Sequence, residues 1–284
     1  MSATYLGYRM AQWLSTRVPA PAAFRWAERL ADLRWRCAVK DRAAVEANLS
    51  AVLGVALSER TWLVREVFRN FGRYLVEFFS IHQMPQPEVR VEGYDSFKTA
   101  QEHQRGMIVL TGHLGNWEVG AVLLRRMGLP IAVVALPHDD PRMDRLFNQQ
   151  RRRCGLDVIP LGPEAARQSL QSLRDGRLLG LLGDREFGGH GLTLCADGRT
   201  MTLPRGPATL SLRGQVPVVP IFLIREGFWK FRLCFEPPIW PEAEDATEAS
   251  VRTLTQTYAA VFWRYLNRFP EQWLMFQPLL VETP

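Results

Sequence analysis

The sequence predicts an α/β protein with a mostly parallel, mixed sheet flanked by helices, and three observations favour this fold class. From residue 89 onward, short apolar runs alternate with amphipathic stretches, a pattern typical of a parallel sheet covered by helices on both faces. Before that point the pattern is helical throughout, and Pro85 and Pro87 close this front section. The length of 284 residues and the hydrophobic content of 47% allow a sizeable core. We therefore expect an N-terminal helical section over 1–87 and an α/β domain over 88–284, joined as one integrated unit.

The front section contains four predicted helices. They cover residues 5–18, 24–39 and 40–53, and a fourth follows Ser58. The fourth helix places apolar side chains at spacings of three and four, which indicates one buried face. These side chains are Leu63, Val67, Phe71, Tyr74 and Phe78.

The first two helices carry aromatic rings beside arginines. At a membrane interface such rings are half-buried and the cations meet lipid phosphate, so the pattern suggests membrane contact. The alternative is a pair of surface helices packed on the domain. The side chains concerned are Tyr5, Trp13, Trp26 and Trp35, with Arg9, Arg17, Arg25, Arg29, Arg34 and Arg36.

The rest of the chain supplies the sheet and its covering helices. Strands are predicted over 89–92, 107–111, 131–136, 157–159, 178–182 and 216–224. Helices are predicted over 96–103, 117–127, 141–153, 164–174, 205–213 and 247–269. Turn signals at 196–198 and 226–227 predict that some antiparallel strand is mixed in.

A histidine and a carboxylate follow the predicted strand 107–111, at the strand end where open α/β sheets build their sites. Because residues five apart on one helix point about 140° apart, His113 and Glu118 meet only if the histidine lies in the turn and the glutamate in the first helical turn. Asn116 suits the N-cap of that helix. Glu118 would hold one imidazole nitrogen and leave the other to take a proton from a hydroxyl. The alternative is a helix cap at Glu118 and a buried structural histidine.

Charged residues elsewhere suggest substrate binding. Arg151 lies in a run of three arginines that either stabilises a helix C-terminus or holds phosphate. Asp184 and Arg185 follow the strand 178–182 in a glycine-rich loop, which is either part of a sheet site or a surface loop with an Asp–Arg pair. Arg205 opposes the dipole at the start of a helix, and this favours a binding role.

The composition restricts partners and chemistry. The net charge of +6 and the pI of about 9.4 favour an anionic partner, either nucleic acid, a membrane face or a phosphorylated substrate. Four scattered cysteines predict reduced, buried thiols, and five histidines without zinc-ligand spacing predict no metal. No apolar stretch reaches the ~18 to 20 residues of a membrane span, and no signal-peptide core is recognisable.

Several segments together resemble a known enzyme family. The run "HLGNWE" at 113–118 matches the His-x4-Asp/Glu motif of the lysophospholipid acyltransferase superfamily, and its form is similar to the branch with the lipid A and phosphatidylinositol mannoside acyltransferases. An N-terminal membrane anchor, usual in many lipid A enzymes, is not recognisable, and the C-terminal "QWLMFQPLL" is closer to the general branch. Further segments in the family's order are "FRNFGRYLVEFF" at 68–79, "GDREFGG" at 183–189, "LPRGPATLSLR" at 203–213 and "VPVVPIF" at 216–222.

The resemblance implies a glycerol-3-phosphate acyltransferase-like fold and acyl transfer from a thioester, on acyl carrier protein or coenzyme A, to a hydroxyl of a lipid or glycolipid. His113 would be the general base, and Glu118 would orient it and support its charge. Arg151 would face an anionic substrate group, while Asp184 and Arg185 would shape the acceptor site. No cofactor and no metal are expected, because a thioester is already activated.

We therefore expect a peripheral acyltransferase at the cytoplasmic face of the inner membrane. Backbone N–H groups of Gly115 and Asn116 are the expected oxyanion donors. The acceptor stays open between lipid A, a phosphatidylinositol mannoside and a specialised polyene lipid. The expected partners are acyl carrier protein or acyl-CoA, the lipid acceptor and the membrane surface, with no nucleic acid. Two rivals differ in class: a basic nucleic-acid-binding protein, which only the charge supports, and a non-catalytic membrane-interface protein, which would not need His113 with Glu118.

Overall fold

The computed structural model describes residues 3–55, 60–103, 105–196 and 199–278, and it confirms the predicted α/β class. The helices are α1 (Ala3–Arg17), α2 (Ala20–Cys37), α3 (Val39–Leu53), α4 (Thr61–Ser80), α5 (Tyr94–Gln101), α6 (Trp117–Arg126), α7 (Pro141–Arg153), α8 (Ala165–Arg174), α9 (Gly206–Gly214) and α10 (Glu248–Arg268). The strands are β1 (Glu88–Glu92), β2 (Met107–Thr111), β3 (Ile131–Ala135), β4 (Asp157–Pro160), β5 (Leu178–Leu182), β6 (Leu192–Ala196), β7 (Arg199–Leu203), β8 (Val218–Gly227) and β9 (Lys230–Phe235).

The main sheet has seven strands in the order β1-β9-β8-β2-β5-β3-β4. All neighbouring pairs are parallel except β8 with β9, which are antiparallel. The central strands β2 and β5 are mostly apolar along their length because helices cover both of their faces. Their carboxyl ends lie side by side, since Thr111 pairs with Leu182. This shared end is where the sheet places its polar loops.

Antiparallel strands occur at both of the predicted hairpins. Strands β6 and β7 form a separate two-stranded sheet that the apolar pattern did not predict, because both strands alternate with polar residues. The predicted turn residues Asp197 and Gly198 lie outside the described residues. The predicted hairpin near Glu226 and Gly227 is confirmed, but these two residues end β8 and the turn to β9 is formed by Phe228 and Trp229.

The front helices share the core of the sheet. One continuous apolar cluster includes Leu49 of α3, Val67 of α4, Leu110 of β2 and Phe222 of β8. Helix α4 also packs against a short 3-10 helix, Pro270–Gln272, that follows α10. The front section thus brings α4 beside the end of β2, close to the predicted histidine.

The cysteines and the apolar character of the helices were both subjects of prediction. All four cysteines are free thiols, but Cys37 and Cys195 are exposed, so the expected burial was wrong for them. In the part of the chain that the structure describes, no helix combines the length and the apolar character that crossing a membrane requires.

Candidate active site

The turn after β2 is fixed by one glycine and one cap. Gly115 has a φ of +67°, and a Cβ atom at this position would lie 2.0 Å from the carbonyl oxygen of Leu223, so only glycine fits. Asn116 is the N-cap of α6, as predicted, and its Oδ1 accepts a hydrogen bond from the backbone N–H of Val119 at 3.1 Å. His113 lies in this turn and Glu118 in the first turn of α6, which confirms their predicted placement.

The imidazole of His113 pairs with a buried carboxylate. Its Nδ1 lies 2.9 Å from Oδ1 of Asp184, and the backbone N–H of His113 donates to Oδ2 of the same side chain at 2.7 Å. The indole Nε1 of Trp273 donates to Oδ2 as well, at 3.0 Å. The Asp184 side chain is completely buried, so the expectation that it shapes the acceptor site was wrong. The His113 side chain keeps 18% of its surface exposed. Because a carboxylate can only accept a hydrogen bond, Nδ1 of His113 carries the proton in this contact. Nε2 is then unprotonated and is the nitrogen that can take a proton from a substrate.

The environment keeps Asp184 ionised. Burial alone would raise its pKa, but the neighbouring His113 and the hydrogen bonds from His113 and Trp273 outweigh burial and hold the pKa below its ordinary value. The carboxylate can therefore orient the imidazole and stabilise the imidazolium formed when Nε2 takes a proton.

Glu118 does not hold the imidazole, so this expected contact was wrong. Its carboxylate makes a buried ion pair with Arg151 of α7, with two contacts to Nε at 3.1 Å and one to Nη2 at 2.5 Å. Only 5% of the Glu118 side chain and 13% of the Arg151 side chain are exposed. The reason is the sheet register: His113 and Asp184 each lie two residues beyond the paired ends Thr111 and Leu182, and so face each other.

Arg151 enters the site as the partner of Glu118. Burial opposes its charge, but Glu118 raises the pKa of the guanidinium above its ordinary value. Its Nη1 donates to Oδ1 of Asn148 at 2.8 Å. The charge of Arg151 is thus compensated within the protein, and binding of a substrate anion by this residue stays a prediction.

The two remaining basic candidates line the entrance of a cavity. Arg185 lies 4.5 Å from the centroid of the Phe187 ring, and partial burial lowers its pKa. Among the described residues we find no carboxylate bonded to the Arg185 guanidinium. Arg205 forms an ion pair with Glu248 of α10. Both arginines lie on the same cavity as His113, and substrate binding by either residue stays a prediction.

The expected oxyanion donors were wrong. The backbone N–H of Gly115 donates to the carbonyl of Gln272 at 3.0 Å, and the backbone N–H of Asn116 donates to the carbonyl of Leu223 at 3.0 Å. Both N–H groups are therefore already used to fix the turn. The sequence could not show this, because both acceptors lie more than a hundred residues away along the chain.

A cavity of about 890 Å³ opens beside His113. Part of it lies between α6 and the sheet, where Val109, Gly180 and Val133 form one row across β2, β5 and β3. Gly180 has no side chain in this row, and a Cβ atom there would press on Cγ1 of Val133 at 3.2 Å. Further lining residues are Ala121, Leu124, Ile131, Leu170, Ile221, Leu223 and Leu233. The cavity is thus suited to an apolar chain that ends beside a histidine.

A histidine–carboxylate pair at the carboxyl end of a mostly parallel sheet, next to an apolar cavity, has the groups that general base catalysis requires. Comparisons with known proteins identify the class. Residues 3–281 match the family described as bacterial lipid A biosynthesis acyltransferase, so the chain belongs to that family of acyltransferases.

Individual relatives carry two kinds of name. A phosphatidylinositol mannoside acyltransferase from Mycolicibacterium smegmatis is 27% identical over 76% of this chain and 71% of its own length. One from Mycobacterium tuberculosis is 26% identical over 81% of this chain and 74% of its own. A lipid A biosynthesis palmitoleoyltransferase from Escherichia coli is 26% identical over 76% of this chain and 70% of its own.

Proposed function

We propose that this protein moves a fatty acyl group from a thioester, on acyl carrier protein or coenzyme A, to a hydroxyl of a lipid or glycolipid acceptor. The observation that carries the proposal is the His113–Asp184 pair at the mouth of a large apolar cavity. The pair supplies a base for the hydroxyl, and the cavity supplies an environment for the acyl chain.

The reaction needs only a base and a positioned thioester. Nε2 of His113 takes the proton of the acceptor hydroxyl as its oxygen attacks the thioester carbonyl carbon. The tetrahedral intermediate collapses when the carbon–sulfur bond breaks, and the thiolate takes the proton from the imidazolium. Asp184 keeps the second nitrogen protonated and stabilises the imidazolium between these two steps. The products are an ester and a free thiol, and the base returns to its starting state.

The acyl chain is assigned to the part of the cavity beneath α6. Its walls are apolar side chains of the sheet and of α6, and Val133 and Gly180 are only half-buried although they lie inside the sheet. An alkyl chain that covers this surface removes it from water, at roughly 25 cal/mol per Å². Arg185 is assigned to an anionic group of the acceptor or donor, because it lines the cavity and, among the described residues, forms no ion pair with a carboxylate, although the Asp184 charge acts on it electrostatically.

The acceptor is a membrane lipid, and the first two helices are proposed to bring the protein to the membrane surface. On α1 the exposed residues Leu6, Met10 and Trp13 follow the spacing i, i+4, i+7. On α2 the exposed residues Trp26, Leu30 and Leu33 follow the same spacing. An unpaired apolar stripe on each of two helices fits the interfacial region of a bilayer.

The other predicted interface rings contact protein instead. Tyr5 lies 4.7 Å from the Arg142 guanidinium of α7, and Trp35 lies 5.7 Å from that of Arg65 of α4. The membrane proposal therefore rests on the exposed Trp13 and Trp26. Since a thioester donor is made inside the cell, the cytoplasmic face of the inner membrane is the proposed location.

The relatives' names point to two lipid classes, phosphatidylinositol mannosides and the lipids of lipid A biosynthesis. Both present sugar hydroxyls on an anionic lipid, which suits a base next to Arg185. We therefore propose a hydroxyl of an anionic glycolipid as the acceptor.

The test is acyl transfer by the purified protein. Palmitoyl-coenzyme A and palmitoyl acyl carrier protein are offered with either glycolipid class, and the ester product is followed by mass spectrometry. Product formation with one donor and one acceptor, lost in His113→Ala, is the expected result. The absence of product in all four combinations and with total lipid from the source cell would overturn the proposal.

Membrane contact is tested separately by co-sedimentation with anionic and neutral vesicles. Trp13→Ala/Trp26→Ala is expected to bind anionic vesicles more weakly than the unchanged protein. Trp240→Ala serves as the control, since Trp240 is 41% exposed but lies outside these helices. Equal binding by all three proteins would place membrane contact elsewhere.

A further inference from the structure

A buried polar cluster behind the catalytic turn links it to α4 and β8. At its centre the carboxylate of Glu77 accepts two hydrogen bonds from the Arg225 guanidinium, at 2.6 and 2.5 Å. The Glu77 side chain is completely buried, and only 7% of the Arg225 side chain is exposed. Nη1 of Arg225 also donates to Oδ1 of Asn70 at 2.7 Å, and Nδ2 of Asn70 donates to the carbonyl of Glu271 at 2.8 Å.

The cluster reaches the turn through two separate contacts. Nδ2 of Asn116 donates to Oε2 of Glu77 at 2.7 Å, and a second acceptor, the carbonyl of Tyr74, lies at 3.4 Å. On the other side, the amide of Gln272 exchanges two hydrogen bonds with the backbone of Arg225, at 2.9 and 3.0 Å. The carbonyl of Gln272 then accepts from Gly115 at 3.0 Å, and Leu274 donates to the carbonyl of His113 at 2.6 Å.

A buried ion pair needs an explanation beyond stability. Removing two charges from water is costly, and an apolar pair of similar volume is often as stable or more so. At this site the Glu77 carboxylate provides what an apolar side chain would not, an acceptor for the Asn116 amide. The oxygen of the Asn116 amide accepts the capping hydrogen bond from Val119 of α6. The orientation of this amide therefore determines where the turn joins the helix.

We propose that Glu77 is a positioning residue for His113, acting through the amide of Asn116, and that Arg225 is the counter-charge that allows this carboxylate to be buried. This inference rests on the proposed acyl transfer for its kinetic test. The carboxylate fixes the cap amide of α6, the guanidinium fixes the carboxylate, and the turn between β2 and α6 is held so that Nδ1 of His113 meets Asp184. Neither Glu77 nor Arg225 lines the cavity, so neither touches the substrate.

The test compares two double variants that differ only at position 77. In Glu77→Gln/Arg225→Met the charges are gone but an oxygen remains to accept from Asn116. In Glu77→Leu/Arg225→Met the pair is apolar and the acceptor is lost. We expect both proteins to fold. The glutamine variant should keep kcat within about threefold of the unchanged protein, while the leucine variant should lose at least ~10-fold in kcat with little change in KM.

Two further variants separate positioning from stability. Asp32→Asn breaks the ion pairs that Asp32 makes with Arg65 and Arg69 between α2 and α4, and should lower the melting temperature without changing kcat. Asn116→Ser keeps a capping oxygen and the ion pair but lacks the amide, and should lower kcat like the leucine variant. This single substitution also decides the question if the leucine variant does not fold.

The imidazole itself gives a readout without substrate. In proton NMR spectra, the Nδ1–H resonance of His113 hydrogen-bonded to Asp184 should persist in the glutamine variant and broaden or shift in the leucine variant. Equal kcat and an unchanged resonance in both folded double variants would overturn the positioning role. If the unchanged protein shows no transfer activity, the proposed function fails, and the resonance alone still decides this inference.

Discussion

Replacement of Asp184 by asparagine should invert the tautomer of His113. Two N–H donors, from the His113 backbone and the Trp273 indole, converge on Oδ2 of Asp184. The amide oxygen of an asparagine must therefore take that position, and its NH₂ group must take the position of Oδ1. An NH₂ group facing Nδ1 at about the present 2.9 Å requires Nδ1 to be an acceptor. The proton then moves to Nε2, and the base is lost.

The size of the effect follows from the loss of both the correct tautomer and the charge. Asparagine in place of the carboxylate of a comparable histidine–aspartate pair lowers kcat by about 10⁴-fold. We expect a loss of about 10³ to 10⁴, which corresponds to roughly 4 to 5.5 kcal/mol of transition-state stabilisation at 1.36 kcal/mol per factor of ten. KM should change little, because Asp184 is completely buried and touches no substrate.

Single-turnover acyl transfer measures the predicted loss of rate, and nitrogen NMR of the imidazole measures the predicted change of tautomer. Asp140→Asn is the matched control, since Asp140 also bonds a backbone N–H and an arginine but caps α7 away from His113. It should leave turnover unchanged. If Asp184→Asn folded and turned over within tenfold of the unchanged protein, the assignment of Asp184 as the partner of His113 would be refuted.

Three further substitutions test the surroundings of the pair. Glu118→Gln removes the carboxylate that pairs with the buried Arg151, so the free energy of unfolding measured by chemical denaturation should fall by about 3 to 5 kcal/mol. The tautomer of His113 should stay the same, and a changed tautomer would show that Glu118 acts on the imidazole. Arg185→Ala should raise KM for an anionic acceptor by about tenfold or more, with partial recovery in Arg185→Lys, and an unchanged KM would exclude this anion contact. Trp273→Phe removes a donor to Asp184 and should raise the pKa of that carboxyl. Because the folded pKa of Asp184 lies below its ordinary 3.8, its stabilisation is present above that pH and is lost as the pH falls through the folded pKa. As the pH is lowered, Trp273→Phe should therefore begin to unfold at a higher pH than the unchanged protein. Acid unfolding at the same pH in both proteins would contradict the proposed effect of the indole on the pKa of Asp184.

Local features of the fold were readable from the sequence. The apolar runs at β2 and β5 and the cap at Asn116 depend on residues within a few positions of one another, and the structure places them as expected. The same is true of His113 in the turn and Glu118 in the first turn of α6. The turn signal at 196–198 predicted antiparallel strand there, but the bounds of β6 and β7 were not predicted because their polar alternation gives no continuous apolar run.

The pairing within the site depended on the order of the strands. The sequence placed His113 and Asp184 each two residues beyond a strand, but nothing in it said that β2 and β5 are neighbours. Had that neighbour relation been known, the register would have favoured Asp184 over Glu118 as the partner of His113. Trp273 and Arg225 gave no signal, since their roles arise from contacts with residues far away along the chain.

The most direct test of the account compares His113→Ala, Asp184→Asn and the double variant in single-turnover acyl transfer. If the two side chains act as one unit, the histidine variant should lose about 10² to 10⁴ in rate and the double variant should lose no more than the histidine variant alone. A double variant that loses the product of the two separate effects would show that they act independently, and would contradict the pairing on which the proposed mechanism depends.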